Sequence, residues 1–186
     1  MSFWTNLLGY QLAWFLTVIG AGHGLAWPSV LAATAFVLWQ LLAAGHRSSE
    51  LRLLVAALLL GMAVDGGFAV SGWVRYATPA PAWPPGGAPV WILTLWACFA
   101  MTLNGSLRYL QGRSGIAAAL GAIGGPLAYL GAARAWQAVD FPAPPWHGLL
   151  LVACGWGISV PLLAAFARRL RLSVTRQADA LQAPTP

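Results

Sequence analysis

Of 186 residues, 59% are hydrophobic and only 8% charged, about a third of the charged share of an ordinary soluble domain. So little polar surface cannot coat a water-soluble globule, and lipid is the expected solvent for most of the chain. The net charge of +6 comes from arginine alone, placed between apolar stretches, which is the pattern of membrane topology and excludes nucleic acid as the expected partner.

Six stretches approach the length of a bilayer crossing: residues 3–21, 25–44, 51–71, 89–107, 115–139 and 146–167. The expected fold is therefore all-α, a polytopic membrane helical bundle of about six transmembrane helices filling residues 1–167. Residues 168–186, basic and then polar, read as a tail that leaves the membrane and frays. The opening MSFWTNLLGYQLAW lacks the basic region and cleavage site of a signal peptide and reads as a retained first helix.

Arginine placement orients the bundle. With six crossings, Arg47, Arg52, Arg108, Arg113, Arg168, Arg169, Arg171 and Arg176 share one side, and only Arg75 and Arg134 fall on the other. That bias puts both termini in the cytoplasm. The outer loop at 72–88 holds four prolines, which forbid a helix and favour an extended, turn-rich cap. Trp73, Tyr76, Trp83 and Trp91 near this face read as headgroup anchors. Trp14, Trp96 and Trp156 lie deeper, and their indole N–H groups need partners on neighbouring helices. Cys98 and Cys154 both sit inside apolar stretches, so no disulfide framework is implied.

Asp65 is the one acidic residue inside an apolar stretch. A carboxylate at that depth is costly unless paired, protonated or facing water, which makes it the first candidate for a functional site. It lies six residues from the outer end of its span, roughly 9 Å down at 1.5 Å per residue. Arg134 lies at a similar depth in the fifth span, so an Asp65–Arg134 ion pair is expected, with His23 in the outer turn AGHGLAWP as a proton carrier. These three are the catalytic candidates. The alternative is a structural Asp–Arg lock between two helices, with His23 merely solvated. Tyr129, Asn104, Trp96 and Gln11 are the ligand-binding candidates. No metal or cofactor is expected, because His23, His147 and Asp65 lack i, i+3 or i, i+4 ligand spacing.

Gly121 and Gly125 have the small-xxx-small spacing that lets a second helix approach closely. Pro126 and Pro161 each remove an amide donor and are expected to kink the last two spans. Asn6, Gln11, Thr102, Asn104 and Ser106 lie toward the cytoplasm as helix-to-helix glue, with Asn6 and Asn104 at pairing height. No Gly-rich phosphate loop, CxxC, HExxH or GxSxG occurs.

NLLGYQLAWF with GAGHGLAW, the span ending AVDG, the run from Trp91 to Ser106 and GGPLAY at Gly124–Tyr129 resemble the bacterial membrane-protein family called domain of unknown function 2878. The resemblance implies a compact polytopic inner-membrane protein with no assigned activity. It also implies a gene neighbourhood of fatty-acyl methyltransferases and amine-oxidase-like flavoproteins, hence a hint of lipid modification. The expected function is binding, or helping to modify, a membrane lipid or fatty-acyl group. Two alternatives stand beside it: a small-molecule or lipid transporter with a path from Asn104 to Asp65, and a structural subunit of a membrane enzyme. Membrane lipids are the expected partners, with a membrane-enzyme partner or a homo-oligomer as further candidates.

Overall fold

The computed structural model describes residues 2–182, with side chains to Arg176. The described residues form six α-helices: α1 (Phe3–Gly22), α2 (Trp27–Ala43), α3 (Arg47–Ser71), α4 (Val90–Ala100), α5 (Ser114–Trp136) and α6 (Trp146–Gln182). Local chemistry sets several of the ends. The Ser2 hydroxyl accepts from the Thr5 amide to start α1. Pro28 stands in the first turn of α2, where its missing N–H costs nothing. Gly72 ends α3 in the left-handed region at φ 71°, a conformation open to glycine for want of a Cβ.

Three of these helices, α3, α5 and α6, are long and apolar enough to cross a membrane, and α2 and α4 are shorter apolar helices. α1 has the length, but Asn6, Tyr10 and Gln11 dilute it. The two prolines leave their helices unbroken, with Pro126 inside α5 and Pro161 inside α6. The expected fraying from residue 168 is overturned as far as Gln182, since α6 runs on through the basic stretch. Residues 183–186 of the polar tail lie outside the described residues.

The fourth span differs most from expectation. Residues 89–107 do not make one helix. α4 stops at Ala100, and Met101–Leu107 continues as tight turns into a 3-10 turn at Arg108–Leu110. Met101, Thr102, Leu103 and Ser106 are nonetheless buried. Buried irregular backbone is tolerable only where its polar groups find partners inside the protein. Asn6 supplies them from α1. Its Nδ2 donates to the Met101 carbonyl at 3.1 Å, and its Oδ1 accepts from the Ser106 amide at 2.9 Å and the Ser106 hydroxyl at 2.7 Å. Gly105 makes room, because a Cβ there would come within 2.5 Å of the Asn6 carboxamide. Asn6 therefore pairs with this turn and not with Asn104.

Helix packing follows small residues. α5 and α6 pack along most of their shared length, and a Cβ at Gly125 would meet the Trp156 ring at 2.8 Å. The small-xxx-small spacing thus serves α6. At the opposite end from the basic turns, the proline-rich loop folds as the extended cap expected of it. β1 (Arg75–Tyr76) pairs antiparallel with β4 (Val139–Asp140) in the loop after α5, and β2 (Ala82–Trp83) pairs with β3 (Ala88–Pro89). The cap is bolted to the helices by Thr78, whose hydroxyl donates to the Ala21 carbonyl at 2.7 Å, and by Trp91, whose Nε1 donates to the Thr78 carbonyl at 3.0 Å. Trp91 is consequently buried and is no headgroup anchor, whereas Trp73 and Trp83 are exposed.

Candidate functional site

The buried face of α3 carries Leu53, Ala57, Gly61, Asp65 and Phe68, spaced at three and four residues so that they stack on one side. Gly61 has a specific use. A Cβ there would meet the Trp96 indole at 2.5 Å, so glycine lets that ring lie against α3 one turn before Asp65. The carboxylate, fully buried, then sits among three neutral donors. Trp96 Nε1 donates to Asp65 Oδ2 at 2.7 Å, Tyr76 Oη donates to Oδ1 at 2.8 Å, and Tyr129 Oη donates to the same Oδ1. Tyr76 comes from β1, Trp96 from α4 and Tyr129 from α5, so one side chain ties the cap and three helices together. Burial, and then the adjoining carboxylate, push the Tyr76 phenol well above its usual range, which keeps it a donor.

This arrangement corrects the expected ion pair. Arg134 is exposed, and both oxygens of Asp65 are taken by neutral groups. Depth alone suggests the pairing; the side of α5 on which each residue lies decides against it. Tyr129 points inward from α5 and Arg134 does not. His23 is likewise not part of the cluster. It terminates α1 as an exposed residue whose backbone N–H bonds back into the helix. Of the catalytic candidates, only Asp65 is in the buried centre. Of the ligand-binding candidates, Tyr129 and Trp96 join it, and Gln11 lines a neighbouring cleft. Asn104 lies elsewhere, donating through Nδ2 to Glu50 at 2.9 Å. Tyr76 is no interfacial anchor, and the only sequence signal for its role is that it follows the α3 span closely enough to fold back on it.

Beside the Asp65 cluster lies an apolar cleft of about 480 Å³, within the roughly 300–1,000 Å³ usual for ligand sites. One wall is α1 from Leu7 to Val18, and the other is α5 from Leu120 to Ala132. At 1.5 Å per residue these walls run about 16–18 Å, so the cleft is elongated along the helices. α1 and α5 touch only lightly, and their separation is what opens it. The floor includes Trp96, Phe99 and Trp156, with Trp96 and Trp156 stacked at 4.5 Å between centroids. Trp96 and Tyr129 thus face two ways, donating to Asp65 behind and lining the cleft in front. The Trp156 Nε1 is buried without a hydrogen-bond partner, and Gln11 adds an exposed carboxamide on the α1 wall. Among the described residues no group of three His, Cys, Asp or Glu converges on a metal position.

The family model described as "Protein of unknown function (DUF2878)" matches residues 3–162 of the chain, which belongs to that family. No curated protein and no solved structure matches it.

Proposed function

For a member of this family, we propose a role as a six-crossing protein of the bacterial inner membrane that holds one apolar chain of a membrane lipid in the cleft between α1 and α5. The observation that carries this reading is the shape and lining of the cleft: elongated, almost wholly apolar, and walled by helices whose outer faces are also apolar. A lipid chain entering it leaves surroundings as apolar as the cleft, so burial contributes little to affinity. Selectivity then falls to the few polar atoms on the walls. The Gln11 carboxamide supplies a donor for an oxygen acceptor on the bound molecule, and Tyr129 and Trp96 are held rigid by Asp65. In this reading Asp65 is a positioning residue: it fixes the wall and does not touch the ligand. The arginine distribution supports cytoplasmic placement of both termini.

The test is mass spectrometry of lipids co-purifying with the full chain, compared with Gly124→Trp. Gly124 lines the cleft, and a Cβ there meets no atom within 4 Å, so the new side chain starts from open space and its indole takes up cleft volume. The wild type should retain a defined lipid and the variant should lose most of it. Equal retention by both overturns the reading.

A further inference from the structure

A second cavity, of about 310 Å³, opens at the basic end of the bundle between α3, the 3-10 turn and α6. Both signs of charge line it, with Glu50 from α3, Arg108 from the 3-10 turn and Arg171 from α6, and Ser49 adds a hydroxyl from α3. Several of these groups have bonding capacity to spare among the described residues. Ser49 is nine-tenths buried, yet its hydroxyl has no hydrogen-bond partner. Arg108 has none either. Arg171 commits only Nε, donating to Gln111 Oε1 at 3.1 Å, which leaves its terminal amines open. Glu50 commits Oε1 to Asn104 and leaves Oε2 open.

We infer that this cavity binds a phosphate ester that also carries a protonated amine, the chemistry of an aminophospholipid headgroup. Arg108, the Arg171 amines and the Ser49 hydroxyl match phosphate oxygens with charge-assisted and neutral donors. A bare phosphate would leave the Glu50 carboxylate facing like charge. A zwitterion places its ammonium on Glu50 Oε2 and its phosphate on the arginines, so every open group is answered. The site is separate from the α1–α5 cleft and shares no residue with it.

Binding of short-chain phosphatidylethanolamine, short-chain phosphatidylglycerol and soluble glycerophosphoethanolamine to the full chain in detergent tests the inference. The wild type should bind the ethanolamine lipid about tenfold more tightly than the glycerol lipid, Glu50→Gln should erase that preference, and Arg108→Gln should weaken the ethanolamine lipid by about tenfold. Neither substitution removes a bond among the described residues, since the carboxamide oxygen introduced by Glu50→Gln still accepts from Asn104 and the Arg108 guanidinium holds no partner there. Equal wild-type affinity for the two lipids, or unchanged binding by Arg108→Gln, overturns the inference. The soluble compound decides the source. Affinity equal to the lipid identifies a free zwitterion as the ligand, and weaker affinity identifies the membrane lipid, either outcome supporting the shared chemistry. Gly124→Trp leaves this binding intact, so failure here and failure of the cleft are read separately.

Discussion

Asp65 accepts from two phenols and an indole, and none of these donors has another acceptor among its hydrogen bonds. Replacing the carboxylate by Asn turns one oxygen into an NH2 group that faces donors. Asp65→Asn should therefore destabilise the protein by about 1–3 kcal/mol, the cost of a stranded buried donor, read as a lower unfolding midpoint in detergent. Arg134→Ala should leave that midpoint within about 0.5 kcal/mol of wild type, as surface substitutions do. A large loss on Arg134→Ala would restore the ion pair. The lone carboxylate is legible in the sequence because nothing else acidic interrupts an apolar stretch. Its partners are not, for a geometric reason. Counting residues gives height in a bundle, and Arg134 and Asp65 match in height. It gives no azimuth between helices and no account of a loop that folds inward, so height alone pairs Arg134 with Asp65 and sends Tyr76 to the headgroups.

At the scale of the element, the instructive case is the stretch after Ala100. Apolar content alone marks residues 89–107 as a crossing, since buried turns and buried helix are equally hydrophobic. The polar letters within it, Thr102, Asn104 and Ser106, are what the turns require. Six helices, the proline-rich cap and the close approach at Gly121 and Gly125 can be read from spacing and composition. The early end of α4 cannot, because its cause is a side chain 95 residues earlier, Asn6 bonded to Met101. Asn6→Leu leaves the Met101 carbonyl and the Ser106 amide without partners and should cost about 2–4 kcal/mol. Hydrogen exchange should rise first across residues 101–107. Exchange that rises evenly over the bundle would show that the turn is held by other means.

For the whole molecule, the topology proposed above assigns the two ends of the bundle to opposite sides of the membrane. In a Cys98→Ala, Cys154→Ala background, a cysteine at Ser2 or at Arg176 should react with an impermeant maleimide only after the cells are opened. A cysteine at Trp83 in the cap should react in intact cells. Labelling of Ser2 and Trp83 from the same side would overturn the arrangement.

The three donors to Asp65 lie 11, 31 and 64 residues downstream of it. During synthesis, then, α3 is released with its carboxylate bare and acquires its indole and phenols one at a time, the last only when α5 has emerged. A nascent chain halted before Tyr129 carries an incompletely solvated acid in a lipid-facing helix, an obvious handle for membrane quality control. Truncations ending at residue 113 should be cleared rapidly from the cell, while Asp65→Leu in the same truncation should lengthen its lifetime, as pulse-chase labelling can measure.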